Sequence, residues 1–301
     1  MFKSFEEIIA AAQRQDRVKI AVAAAADSDV LTAVYEAKKA GIADAILVGD
    51  TAAIQEICQQ QGIDSRLFEI EDVPDVRLAA KRAAALVRQG AAQVMMKGLV
   101  GTADFMRAVL NKTEGLGTGG LLSHVVVFEA DGYERLLVLT DPAINIAPDL
   151  PQKVQIIQNA LQVTSALGNQ KPRVAMLAAV ETVTSSMKAT EDAALIAKMA
   201  ERGQIKGCVI DGPLALDNAV SASAAAHKGI GGDVAGKADI LVVPFIEAGN
   251  IFYKTLVYFA HTPLAGIVIG AAAPVVLTSR ADSPQTKLNS IALAVVVSNA
   301  K

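Results

Sequence analysis

The chain has 301 residues, of which 52% are hydrophobic and 20% charged, enough for two domains of ~150 residues each and a substantial buried core. A formal net charge of −3 and a pI near 5.7 exclude the broad basic field of a general nucleic-acid binder. With 4% aromatic residues and no Trp, base stacking is disfavoured too, so an anionic ligand must be held by local cations.

The opening MFKSFEEIIAAAQ puts Glu6 and Glu7 where a secretory signal needs an apolar centre, so it reads as an amphipathic helix without an export signal. A repeated grammar follows: an aliphatic run, a turn, then a helical pattern. VKIAVAAA precedes SDVLTAVYEAKKAG, DAILVGD precedes TAAIQEICQQQG, and LFEIED precedes DVRLAAKRAAALVRQG. QVMMKG supplies another strand, with a helix expected from about Thr102 to Lys112. Such alternation implies βαβ crossovers and a mostly parallel sheet covered by helices on both faces. Sheets of this kind bind ligands beyond the C-terminal ends of their strands.

Residues 121–140 change the rhythm, because LLSHVVVFEADGYERLLVLTD has two strand-like runs around Asp131-Gly132, a hairpin signal. Alternation resumes with a long helix at 149–168, strand RVAML, further strands at KGCVID, DILVVPF and GIVIGAAA, and a last helix at about 284–299. The segment 221–236 reads as a loop region. The fold class is therefore α/β with two closely joined domains and a boundary near residue 140. The expected division is 1–140 with the C-terminal segment from about 280 to 301, against 141–279.

The stretch Thr255–Ser279 lacks Asp, Glu, Lys and Arg and is long enough to span a bilayer. His261, Pro263, Gly266, Gly270 and Pro274 interrupt it, a pattern of helix, turn and buried strand; no membrane partner is expected. Cys58 and Cys208 form no C-x-x-C pair and read as packed thiols in a reducing, cytoplasmic compartment. His124, His227 and His261 show no paired helical spacing, so no metal site is expected. GLGTGG at 115–120 satisfies G-x-G-x-x-G, but it leaves a helical pattern and enters a strand, the reverse of a dinucleotide fingerprint. GGDVAGK at 231–237 resembles a Walker A loop but precedes its strand, and Ala238 stands where the magnesium-binding hydroxyl belongs.

Polar groups recur where strands should end. Lys97 closes VMMKG, with Arg107 one helix later; Thr140-Asp141 closes another run, with Asn145 beyond. Asp211 and Asp217 lie in VIDGPLALD, Glu247, Asn250 and Lys254 in VVPFIEAGNIFYK, and Ser279, Arg280 and Asp282 in VVLTSRADS. Singly, each fits a cap, a turn or a surface charge. Together they suggest one crevice for a large anionic ligand, with Arg as a bidentate fork for phosphate and Lys as a point charge.

VMMKG at 94–98, VLNKTEGL at 109–116, RGQIKGCVIDGPLALDNAV at 202–220, VAGKADILVVPFIEAGNIFYK at 234–254 and VVLTSRADS at 275–283 resemble the phosphate acetyl/butyryltransferase family. The likeness runs over essentially the whole chain and is nearer the butyryl-transferring branch. It implies a two-domain α/β/α architecture related to isocitrate and isopropylmalate dehydrogenases, with the active site in the interdomain cleft. It implies the reversible reaction of acyl-CoA with inorganic phosphate to give acyl phosphate and free coenzyme A. It further implies that no metal or redox cofactor takes part, coenzyme A being a substrate. A homo-oligomer, at least a dimer, is expected.

Starting from acyl phosphate, the CoA thiol must lose its proton, and a thiol of pKa ~8.5 is only slightly ionised at neutral pH. The developing oxyanion and the phosphate need fixed positive charge, the loss of which typically costs ~10²–10³ in rate. By resemblance, Ser279 hydrogen-bonds the thiol or the reacting acyl group, and Arg280 binds phosphate and stabilises the transition state. Lys97, Arg107, Asn145, Asp211, Asn250 and Lys254 are the expected substrate-binding residues, Arg107 for the CoA phosphates. The acetyl-transferring relatives follow Ser-Arg with Gly-Cys and carry an aspartate seven residues after the serine. Here Ala281-Asp282 follow and that position is Thr286. Asp282 is then the candidate base or, equally, the cap of the last helix beside Ser283. A phosphate acetyltransferase, a metal- and NAD-dependent dehydrogenase of the related fold and a non-enzymatic acyl-CoA binder are the competing readings.

Overall fold

The computed structural model describes residues 1–279 and 282–300. In chain order the first stretch holds α1 (Phe5–Arg14), β1 (Val18–Ala23), α2 (Ser28–Lys39), β2 (Ala43–Gly49), α3 (Thr51–Gln60), β3 (Glu69–Asp72), α4 (Val76–Arg88), β4 (Val94–Lys97) and α5 (Thr102–Val109). There follow β5 (Ser123–Phe128), β6 (Leu137–Thr140), α6 (Leu150–Ala166), β7 (Arg173–Leu177), α7 (Lys188–Glu201), β8 (Val209–Leu214), α8 (Leu216–Val220), α9 (Ala222–His227), β9 (Ile240–Val242) and α10 (Ile246–Tyr258). The chain ends with β10 (Leu264–Ile269), β11 (Val275–Val276) and α11 (Pro284–Asn299).

Two units result. One comprises Phe5–Gly120 with Leu264–Lys301, the other Met1–Ser4 with Leu121–Pro263. These breaks differ from the expected ones at 140 and 279, and strand pairing is the reason. The β5–β6 hairpin, with Val126 opposite Leu139, goes with the second unit because β6 is zipped in parallel to β9. Strands β10 and β11 go with the first unit because β11 runs parallel to β4 and α11 packs on both β10 and β11.

In the first unit the strand order is β3-β2-β1-β4-β11-β10. All run parallel except β10, which is antiparallel to β11. In the second the order is β5-β6-β9-β7-β8, parallel except for β5. Near-continuous apolar strands fit sheets covered on both faces: β4, β5, β6 and β10 are buried throughout.

Acceptor side chains start the helices where the first N–H groups lack partners. Asp27, Asp75 and Asp149 cap α2, α4 and α6, the last in a reciprocal capping box with Gln152. Helix α11 buries Ile291 through Val297 without interruption, as a central helix must. Each large aliphatic side chain buried there contributes about 1.5–3 kcal/mol.

Two expectations change. Helix α5 stops at Val109 instead of Lys112, because Asn111 Oδ1 accepts hydrogen bonds from the Thr113 and Glu114 amides and turns the chain. The segment 221–236 is not all loop: Ser221 caps α9, whose alanines are the strongest helix formers. Among the described residues, no helix is long and apolar enough to cross a membrane.

Candidate active site

In the first unit the C-terminal ends of β1, β4 and β11 lie side by side. Register puts Ala23 beside Lys97 and Met96 beside Val276. The Gly98 amide donates to Ala23 O at 2.9 Å and the Leu99 amide to Ala24 O at 2.7 Å. A Cβ on Gly98 would stand 2.3 Å from Ala24 O, so this backbone approach requires glycine. Lys97 is buried there and donates from Nζ to Gly98 O at 3.3 Å.

Beyond β11, Leu277 and Thr278 stay buried and lead to Ser279. The Ser279 amide donates to Asp282 Oδ2 at 2.7 Å, and the Asp282 amide returns a bond to Ser279 O at 3.2 Å. Asp282 is only 3% exposed. It is not the cap of α11: Ser283 is, its Oγ accepting from the Thr286 amide at 3.2 Å. Lys287, one turn into α11 and 3% exposed, donates from Nζ to the Asp282 carbonyl and lies 3.6 Å from Asp29 Oδ2. A buried ammonium thus braces the loop from behind. Arg280 lies outside the described residues. Arg107, on α5, is exposed and paired with Asp104, whose other oxygen takes Arg77 Nε at 3.1 Å.

In the second unit the parallel strands β6, β9, β7 and β8 share a C-terminal edge. At the end of β6, Asp141 is 3% exposed and its carboxylate is fully engaged. Oδ1 accepts from the amides of Ala143 and Ile144 at 3.0 Å each, and Oδ2 from the Asn145 amide at 3.2 Å and Asn145 Nδ2 at 2.6 Å. Asn145 Nδ2 also donates to Leu122 O at 2.8 Å. Helix α10 sits against this turn so closely that a Cβ on Gly249 would be 2.7 Å from Pro142 Cα. Asn250 Nδ2 is 3.4 Å from Pro142 O, and Lys254 Nζ stands 5.9 Å from the centroids of both Tyr253 and Tyr258.

Asp211 is not the end of its strand. It lies inside β8, which continues through Gly212-Pro213-Leu214, and its Oδ1 accepts from the Gly212 amide at 2.8 Å. Asp211 borders a groove with Lys171, Lys198 and Cys208 beside α7, and its Oδ2 lies 3.5 Å from where a Cβ on Gly232 would stand. Burial there pushes the Cys208 thiol up to about 11. Past β7 and β8, Lys228 Nζ bridges Glu181 at 2.8 Å and Asp217 at 3.1 Å, and Glu181 accepts from Asn218 Nδ2. The Lys228 hydrogen bonds hold both carboxyls below the usual range and raise the lysine in turn. Among the described residues no group of three or more His, Cys, Asp or Glu could hold a metal ion.

The structure therefore gathers Lys97, Ser279 and Asp282 at one edge, with Arg107 on the following helix, and Asn145 and Asn250 at another, with Lys254 a turn further along α10 beside Tyr253 and Tyr258. Sequence reasoning missed Lys287, Glu181 and Lys228. For Lys287 a signal existed, a lone charge in the first turns of an otherwise uncharged helix.

Over residues 4–81 and 73–295 the chain matches the family described as "Phosphate acetyl/butaryl transferase". The chain belongs to this family. It is 54% identical over 301 residues to the phosphate butyryltransferase of Clostridium acetobutylicum, covering 100% of both chains. With the phosphate acetyltransferase of Rhizobium meliloti the identity is 45%, over 96% of this chain and 92% of that one. A crystal structure of a branched-chain phosphotransacylase from Enterococcus faecalis superposes with a TM-score of 0.83 at 31% identity, covering 93% of this chain and 99% of that one. A 4-hydroxythreonine-4-phosphate dehydrogenase from Klebsiella pneumoniae shares the fold at a TM-score of 0.58 and 14% identity, over 94% of this chain and 100% of its own.

Proposed function

We propose that the protein transfers a butyryl or similar short or branched acyl group between coenzyme A and inorganic phosphate. The observation that carries this is the 54% identity, over the full length of both chains, to a phosphate butyryltransferase. In the forward sense a phosphate oxygen attacks the thioester carbonyl carbon within a ternary complex. The C–O bond forms as the C–S bond breaks, the bonding pair leaves on sulfur, and the phosphate proton ends on the departing thiol. So written, the exchange balances without an electron carrier.

The chain's own groups would divide the work. Ser279, fixed by its amide bond to Asp282, hydrogen-bonds the sulfur or the reacting acyl group. Arg280 carries the phosphate and the developing oxyanion, and Lys97, at the C-terminal end of β4, adds charge without reorganisation. Arg107 meets the CoA phosphates, and Asn145, Asn250 and Lys254 are the second unit's substrate-binding candidates. The engaged carboxylate of Asp282 supports a positioning role rather than that of a base.

Self-association as at least a dimer is supported by exposed Phe245, Tyr258 and Phe259 around α10. The two cysteines, unpaired with each other, suit a reducing cytoplasm. The test is thiol release from butyryl-, isobutyryl- and acetyl-CoA with and without phosphate. Phosphate-dependent release strongest with butyryl- or isobutyryl-CoA is expected; strongest release with acetyl-CoA overturns the chain-length assignment, and none with any of them overturns the reading.

A further inference from the structure

Helix α10 buries one face and leaves the opposite one open. Gly249 and Leu256 are buried, while Glu247, Ile251, Lys254 and Tyr258 are exposed. Ile251 is 67% exposed, and Phe259, which ends the helix, 83%. The four exposed residues are spaced four, three and four apart, so they form one stripe, with the spacing of the seam along which two helices pack. Beside it lies an apolar hollow of about 480 Å3 whose walls include Leu177, Ala178, Leu216 and Pro244, bordered by Ile251 and Thr255 of the helix. An exposed apolar surface of this extent marks a contact with another molecule.

The charges on the stripe say what that molecule is. Glu247 stands one turn before Ile251 and Lys254 one turn after it. Among the described residues neither forms an ion pair within the chain. Turned end for end, the stripe offers a cation where it had an anion and an anion where it had a cation. Two antiparallel copies of α10, related by a two-fold axis at Ile251, bring Glu247 of each beside Lys254 of the other and set Ile251 against its own counterpart. They also carry Phe245, at the start of the helix, toward Tyr258 and Phe259 at the end of the second copy's helix. Opposed helix dipoles favour the arrangement. An anionic lipid surface would meet the Glu247 carboxylate, and an unrelated partner gives no reason for a charge pattern that is its own complement.

We propose, building on the reading of the protein as at least a dimer, that α10 packs antiparallel on the α10 of a second copy, with Ile251 at the two-fold axis and two Glu247–Lys254 pairs flanking it. A helix of 13 residues is about 20 Å long, too small to supply alone the ~800 Å2 that each partner of a stable interface buries. The hollow beside it therefore takes part, and Leu216, exposed at its wall, is covered with it.

The experiment is molar mass by sedimentation equilibrium over a dilution series, for the wild type, Ile251→Lys, Glu247→Lys, Lys254→Glu and the double variant Glu247→Lys/Lys254→Glu. Ile251→Lys should halve the molar mass, because it sets two ammonium groups against each other at the axis. Each single charge swap puts like charges side by side in both pairs and should raise the dissociation constant about tenfold or more. The double variant restores opposite charges and should return to within about threefold of the wild type. It carries both single changes, so its recovery excludes unfolding as the cause of their dissociation. An Ile251→Lys protein of unchanged molar mass, or a double variant no tighter than the single ones, overturns this surface and leaves self-association through another one standing. A wild type that is monomeric throughout the series overturns both.

Discussion

Replacing Asp282 by Asn separates the two chemical roles its position allows. The carboxylate is 3% exposed and accepts the Ser279 amide at 2.7 Å, a buried, charge-assisted bond of about 1.5–3 kcal/mol. An asparagine can still accept that bond through its carbonyl oxygen, at the ~0.5–1.5 kcal/mol of a neutral pair. If Asp282 only holds Ser279 in place, Asp282→Asn should cost about 1–2 kcal/mol, a fall of roughly 5- to 30-fold in kcat/KM. Asp282→Ala should cost more, since it strands a buried N–H group. If Asp282 is the general base, both variants lose ~10²–10⁴ equally, because an amide takes no proton. The assay is phosphate-dependent thiol release across pH. An Asn variant as inactive as the Ala variant, with the acidic limb of the wild-type profile abolished, would refute positioning.

Lys287→Met removes the donor to the Asp282 carbonyl; kcat should fall with far less loss of melting temperature than of activity, as compared by thermal scans and initial rates. Gly98→Ala forces a Cβ to 2.3 Å from Ala24 O and should destabilise the first unit by about 3 kcal/mol in denaturant titration. Burial works against the Asp192 carboxylate, but hydrogen bonds from Lys153 and Lys188 outweigh it and hold the carboxyl low. A depressed folded pKa stabilises above the ordinary aspartate value of ~3.9 and is lost as pH falls through the folded one. Asp192→Asn should therefore cost about 3–5 kcal/mol at pH 7, and markedly less below the folded pKa, read from denaturant midpoints at both pH values. The raised Cys208 thiol should alkylate at pH 8 on the order of 10²-fold more slowly than free cysteine.

Strand and helix alternation was legible because it is local: the period switches at each turn, and caps such as Asp27 and Asp75 stand in the sequence where the helices begin. Domain membership was not, because it depends on which distant strands pair. Nothing local in VVLTSRADS says that Val276 will lie beside Met96, or that β6 will zip to β9 and carry its hairpin along. The same limit governs the site. The residue types at strand ends announced an anionic ligand, but their side-chain partners come from elsewhere in the chain. Asp211 looked like a strand terminus because Gly212-Pro213 normally ends a strand, yet β8 runs on through both. Asp282 looked like a cap because it directly precedes Ser283 and Pro284. A cap must reach the first free amides of the helix, and Ser283 takes that bond, so the Asp282 carboxylate is released to turn back on Ser279. That choice between two adjacent acceptors is what lets the loop present a serine, rather than close a helix, at the end of a buried strand.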